Sequence, residues 1–189
     1  MVVKFDLIAA ACENMGIGKN KDLPWRLKSE MAFFSRMTSE TVDKNKKNVV
    51  LMGRKTWDCI PPKFKPLSNR INFIMSRSSV DVQNYKDCYS FTSLQEVLDT
   101  LGGEKFQDQY ENVWVIGGSY IYEETMKSKF FHRLYLTKIM KHFDCDTFFP
   151  KMKDNLVKIS DSRVPEGIQE ENGIQFVYNV YENPDFNKE

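Results

Sequence analysis

Apolar residues fall into short runs along this chain. Val2-Val3-Lys4-Phe5-Asp6-Leu7-Ile8-Ala9-Ala10 reads as a first strand, and Asn48-Val49-Val50-Leu51-Met52 as a second. Ile71-Asn72-Phe73-Ile74-Met75 reads as a third and Val113-Trp114-Val115-Ile116 as a fourth. They are rich in β-branched and aromatic residues, as strands are. The fourth is apolar throughout, which suits a strand covered on both faces. Helical segments separate them: Leu27 to Ser39, a short one after Lys55, Ser93 to Leu101 and Ser119 to Lys127. Strands alternating with helices predict an α/β domain with a largely parallel sheet. Past these, Arg133 to Ile139 and Ile174 to Tyr181 are long strand candidates with no convincing helix between them, and they are expected to pair antiparallel. The predicted fold is a single domain over residues 1–189, a mixed, mostly parallel sheet of about eight strands flanked by helices, with residues 183–189 fraying.

Periodicity places one residue against the pattern. At about 100° per residue, Leu27, Met31, Phe34 and Met37 form an apolar stripe, and Glu30 falls inside it. A carboxylate in apolar surroundings is costly unless partnered, and desolvation raises its pKa toward that of a proton donor. The plainer reading is a glutamate near a helix N-terminus, where negative charge is favoured in any case.

Composition and charge narrow the function classes. Net charge is +1, so there is no general field for nucleic acid or an anionic membrane, and any anion site must be local. Lys44-Asn45-Lys46-Lys47 is basic but has no aromatic partners and reads as a solvated loop. Cys12, Cys59, Cys88 and Cys145 form no CxxC, and with only His132 and His142 beside them no metal site is expected. They read as buried or inert thiols in a reducing compartment. No signal-length apolar core is visible, so a soluble cytoplasmic protein is expected. Asp144-Cys145-Asp146 starts like a calcium loop but lacks its glycine and distal glutamate.

Three predicted strand ends carry groups suited to phosphate: Gly117-Gly118-Ser119 before a helix, Gly53-Arg54-Lys55-Thr56, and Ser76-Arg77-Ser78. The first two could equally be turns, and the third reads more readily as an exposed loop. Together they suggest a ligand with phosphates at more than one place, such as a dinucleotide. Gly16-Ile17-Gly18-Lys19-Asn20 begins like a dinucleotide fingerprint, but Lys21 stands where its third glycine is required. A mobile loop covering a site suits it better.

Read together, these residues resemble dihydrofolate reductase of the animal type. The resemblance spans nearly the whole chain. It rests on Asn14-Met15-Gly16-Ile17-Gly18 with Asp22-Leu23-Pro24-Trp25, on Glu30, on Met52-Gly53-Arg54-Lys55-Thr56-Trp57, on Val115-Ile116-Gly117-Gly118-Ser119 and on Asp146-Thr147-Phe148-Phe149-Pro150. Gln169-Glu170-Glu171-Asn172-Gly173-Ile174 adds to the animal character. The resemblance implies hydride transfer from NADPH to 7,8-dihydrofolate in a monomer sensitive to antifolates. It makes Glu30, Trp25 and Thr137 the catalytic group, with Glu30 binding the pterin and helping to supply a proton through water. It lines the substrate site with Ile8, Leu23, Met31, Phe34, Ser35, Ile60, Leu67 and Arg70, the last gripping the α-carboxylate of the folate's glutamate. It lines the cofactor site with Ala10, Gly16, Ile17, Gly18, Lys19, Asn20 and Asp22, then Arg54, Lys55, Thr56, Ser76, Arg77 and Ser78, then Gly117, Gly118, Ser119, Tyr120, Ile121 and Tyr122. It also implies cis peptides at Gly117-Gly118 and Lys65-Pro66. Three positions depart from the family pattern: Met31 in place of a phenylalanine, Phe64 in place of a polar residue, and Thr92 in place of an arginine. Another pterin or pyrimidine reductase, or a silent nucleotide-binding protein, would share much of this pattern. Arg70 separates the first alternative, and turnover the second.

Overall fold

The computed structural model describes residues 2–188. Its strands are β1 (Phe5–Ala11), β2 (Gly16–Gly18), β3 (Lys47–Gly53), β4 (Arg70–Met75), β5 (Cys88–Phe91), β6 (Tyr110–Gly117), β7 (Phe131–Ile139), β8 (Thr147–Phe148), β9 (Val157–Ile159), β10 (Gln169–Glu171) and β11 (Ile174–Glu182). Its helices are α1 (Lys28–Ser39), α2 (Arg54–Cys59), α3 (Leu94–Leu101), α4 (Glu104–Gln107) and α5 (Ser119–Lys127), with a 3-10 turn at Pro62–Phe64. The main sheet runs β10-β11-β7-β1-β6-β3-β4-β5, and β9 pairs with β11 as well. From β7 to β5 every pairing is parallel, whereas β11 runs antiparallel to β7, as the sequence predicts.

Alternation along the strands explains the layering, because successive side chains point to opposite faces. Phe5, Leu7, Val49, Leu51, Val113 and Val115 join one core with Val97 and Leu101 of α3 and Ile121 and Met126 of α5. Ile8, Val50, Met52 and Trp114 join the other with Phe33 and Met37 of α1 and Trp57 of α2. Both faces are thus covered, which accounts for apolar runs such as that of β6.

The tail is the clearest departure from the sequence reading. Asn183 is buried and its amide donates to the Phe131 carbonyl at 2.8 Å, Phe186 packs edge-on against His132, and the Asn187 N–H donates to Lys129 O at 3.0 Å. Fraying is therefore corrected to anchoring as far as Lys188, because the polar residues there find backbone partners. Glu189 lies outside the described residues. The short strands β2, β5, β8, β9 and β10 also escape the sequence reading, since two to four residues are too few to show a period.

Candidate active site

The strand order reverses direction around β1, whose neighbours β6 and β7 come much later in the chain. In open α/β sheets, ligands lodge beyond the carboxyl ends of strands at such a point. The ends of β3, β4 and β6 meet here in register, with Met52 opposite Gly117 and Gly53 opposite Met75. The three phosphate-suited segments therefore stand side by side. A Cβ on Gly118 would come within 3.9 Å of Thr56 Oγ1, and one on Gly53 within 3.0 Å of Ile121 Cγ1. Both Gly117-Gly118 and Lys65-Pro66 are cis.

Gly117 has a φ of 105° and faces the ring of Tyr122, whose hydroxyl donates to the Ile8 carbonyl at 2.7 Å. Tyr122 is thus buried between β6 and β1, while Tyr120 stands exposed and Ser119 donates to the Phe148 carbonyl. Lys55 and Arg77 are exposed and make no ion pair among the described residues. Arg54 differs: it leans on Asp58 at 3.6 Å and donates to Ser78 Oγ at 3.4 Å. Beside Ser76, Thr92 is held by Glu96, which accepts from its N–H at 2.7 Å and its hydroxyl at 3.1 Å.

On the opposite side of β1, α1 carries Glu30 into the protein. Burial on this helix centres on Glu30, Phe33, Met37 and Thr38, while Met31 is 56% exposed and Phe34 half-buried. The expected stripe is thus rotated: Phe33 joins it, Met31 leaves it, and Glu30 sits near its middle. Glu30 Oε1 accepts from Thr137 Oγ1 at 3.2 Å, and no cation pairs with it among the described residues. Burial pushes its carboxyl up to about 7, and the Thr137 hydrogen bond opposes this only in part.

Two phenols feel the same carboxylate. Tyr178 lies opposite Thr137 in the β7–β11 register and stacks on Phe33 at 4.1 Å, its hydroxyl pushed up to about 12 by burial and then by Glu30. Tyr122 is pushed up in the same way. The sequence reading missed Tyr178, although its place in the alternation Phe176, Tyr178, Val180 marks that strand face. Trp25 is buried with Leu27 and Cys12, and its indole N–H has no protein acceptor. A water or a ligand atom would satisfy it, as one would the similarly unpartnered indole of Trp114.

Apolar walls extend outward from there. Phe34, Ile60 and Leu67 pack against the cluster containing Ile8, and Leu23 packs beside Trp25. Ser35 is exposed on α1, and Phe64 is exposed beneath Lys63. At the far end Arg70 is buried, donating to Ser68 O at 2.8 Å and Thr38 Oγ1 at 3.0 Å, with no carboxylate partner among the described residues. A buried guanidinium held only by neutral oxygens suits an incoming anion.

The 16–22 loop is latched to the rest of the protein. β2 pairs with β8, the Asn20 N–H donates to Asp146 Oδ2 at 2.9 Å, and Lys19 pairs with Asp144 at 3.1 Å. Asp22 holds Arg26 at 2.6 Å. The side chains of Lys19 and Asp22 are engaged with the protein, while Ala10 lies in β1 and Gly16, Ile17 and Gly18 form β2. Gly16 is required because a Cβ there would lie 2.3 Å from Cys145 Sγ. Cys145 and Cys12 are buried with their sulfurs 3.8 Å apart, Cys88 is partly buried and Cys59 is exposed, all four as free thiols. No group of three or more metal-ligating side chains occurs among the described residues.

Comparison with known proteins agrees with this architecture. The family model for dihydrofolate reductase matches residues 4–183. The Drosophila melanogaster dihydrofolate reductase is 46% identical over 182 residues, covering 96% of this chain and 98% of that one. The Gallus gallus enzyme is 40% identical over 178 residues, covering 93% and 94%. A solved structure of Schistosoma mansoni dihydrofolate reductase superposes with a TM-score of 0.85 at 36% identity, covering 97% of this chain and all of that one. The chain belongs to the dihydrofolate reductase family, of the animal type.

Proposed function

We propose that this protein reduces 7,8-dihydrofolate to 5,6,7,8-tetrahydrofolate with NADPH, supporting one-carbon metabolism and thymidylate synthesis. The observation that carries the reading is a buried carboxylate, Glu30, held by Thr137 and without a cation partner among the described residues, in a fold whose β3, β4 and β6 ends bring three phosphate-suited segments side by side. Bound NADPH supplies a hydride from its nicotinamide ring. The protein's residues hold, orient and protonate. Glu30 accepts from the pterin amino group and the adjacent ring nitrogen, with Thr137 fixing one of its oxygens. A proton reaches the pterin nitrogen next to the reduced carbon through a water on which the Trp25 indole N–H donates. Ile8, Leu23, Met31, Phe34, Ile60 and Leu67 wall the folate, Ser35 lies at its edge, and Arg70 takes the glutamate α-carboxylate bidentately. That last role favours a folate over a smaller pterin or pyrimidine.

Gly117 to Tyr122, with Ala10 and the 16–20 loop, border the nicotinamide half and the pyrophosphate. Lys55, Thr56, Ser76 and Arg77 hold the adenosine-side phosphates, with Arg54 and Ser78 alongside. Because Thr92 is occupied by Glu96, Lys55 and Arg77 carry the 2′-phosphate. The protein acts as a cytoplasmic monomer inhibited by antifolates. No helix among the described residues is long and apolar enough to cross a membrane, and all four cysteines are free.

Purified protein should oxidise NADPH only when dihydrofolate is added, and an antifolate should stop it. Absence of that turnover would overturn the reading. Arg77→Ala should raise the KM for NADPH roughly tenfold or more, the weight of a charge-assisted hydrogen bond, and leave the weaker use of NADH nearly unchanged. Equal losses with both cofactors would remove Arg77 from the 2′-phosphate.

A further inference from the structure

Helix α1 begins without a cap of its own. Leu27 occupies the N-cap position and offers no side-chain acceptor, yet the first N–H groups of a helix need partners. The carboxylate of Glu171 supplies them from far along the chain. It accepts from the Lys28 N–H at 2.6 Å, the Ser29 N–H at 2.9 Å and the Ser29 hydroxyl at 2.6 Å. These bonds hold its pKa below the ordinary glutamate value, so at neutral pH it stays a charged acceptor facing the positive end of the helix.

The placement of this cap matters. Glu30 is the third residue of α1, directly after the two that Glu171 holds. Glu171 ends β10, and a tight turn follows through Asn172 and Gly173, both at positive φ (52° and 75°). The turn leads into β11, which pairs with β7 and sets Tyr178 opposite Thr137. One hairpin therefore grips the helix start below Glu30 and abuts the strand whose Thr137 holds the Glu30 carboxylate. The backbone and the carboxylate of Glu30 are fixed from the same side of the molecule by separate contacts.

We propose that Glu171 is a positioning residue for the reaction, aligning Glu30 by capping α1 across the β10–β11 hairpin. This rests on Glu30 being the acid of the site. Glu171 touches neither substrate nor cofactor. Its loss lets the first turn of α1 loosen, so the two hydrogen bonds that Glu30 accepts from the pterin lose their alignment while the cofactor side is untouched.

The test measures single-turnover hydride transfer and both KM values across pH 5–9, with thermal melting as a check on folding. The variants are Glu171→Ala and Glu171→Gln, each in the native chain and in a Glu30→Gln background. Glu171→Ala should slow hydride transfer at neutral pH about tenfold and raise the KM for dihydrofolate by a similar factor, leaving that for NADPH unchanged. Glu171→Gln keeps one acceptor oxygen and should recover part of the loss. In the Glu30→Gln background neither change should matter more than about twofold, since the group being aligned is gone. A lowered melting temperature with rate, KM and pH profile intact would overturn the proposal, leaving a purely structural cap. So would an equal rate loss in both backgrounds. An unaltered pH–rate profile for Glu30→Gln alone would be a different failure: it would remove Glu30 as the acid, and the proposal with it.

Discussion

Glu30→Gln is expected to cut turnover roughly a hundredfold or more at pH 7–8, in the range seen when a positioned general acid is lost. The deficit should shrink toward pH 5, where solvent protonates the pterin without help. Measuring kcat across that range checks it, and a profile parallel to that of the native protein would exclude Glu30 from proton supply. The same variant has a second signature, in stability. The Glu30 carboxyl moves from an ordinary 4.5 to about 7 on folding, chiefly because burial penalises its charge. A raised carboxyl pKa means that the folded state holds the proton more tightly than the unfolded chain does. The native protein therefore has its full stability below about pH 4.5 as far as this group is concerned, loses it progressively as pH rises toward 7, and carries the whole cost above that. At about 1.4 kcal/mol per pH unit this cost is on the order of 3 kcal/mol. Glutamine has no proton to lose. Glu30→Gln should be the more stable protein at pH 8 and the less active one, and denaturant melts at pH 5 and pH 8 would show its smaller pH dependence.

Gly117→Ala should be far more damaging than the same change at the neighbouring Gly118. Its φ of 105° strains any residue with a side chain, and the new methyl would lie 2.9 Å from Tyr122 Cε2 and 3.0 Å from its Cζ. Tyr122 cannot simply swing away, because its buried hydroxyl holds the Ile8 carbonyl at 2.7 Å. Strain and an orphaned buried hydroxyl together suggest a loss of about 3 kcal/mol and a fall in Tm of roughly 10 °C. Gly118→Ala meets nothing nearer than Thr56 Oγ1 at 3.9 Å. It should lose less stability but still narrow the cofactor cleft, so its NADPH KM rises in a protein that melts closer to normal. Melting curves that rank the two the other way would show that Tyr122 yields more readily than this packing implies.

What the sequence reveals about this protein depends on the range over which each signal acts. The buried strands β1, β3, β4 and β6 are visible because each is a mostly apolar run. Glu30 is visible because one charged residue in an apolar stripe needs no knowledge of the fold. The stripe itself is read imprecisely: Phe33 and Met31 lie on nearly opposite faces of a helix whose rotation is set by the sheet beneath it, which periodicity does not know. The Thr137 contact spans 107 residues and the Glu171 cap 143, so neither leaves a local trace. The anchored tail hides for the same reason, since Asn183 looks like any polar terminal residue until Phe131 supplies its partner. The phosphate-suited segments are individually ambiguous, and only the register of β3, β4 and β6 makes them one surface.

The distant cap on α1 has a consequence for how the protein comes into being on a ribosome. The helix that bears Glu30 is made well before its partners, so its first turn waits for Glu171 and its carboxylate waits for Thr137. Central strand β1 likewise waits for β6 and β7. A growing chain can therefore present α1 early without holding the acid in place, and a chain halted before the last hairpin should bind substrate poorly however many of its strands have formed. Competence arrives late and nearly all at once, when β11 closes against β7.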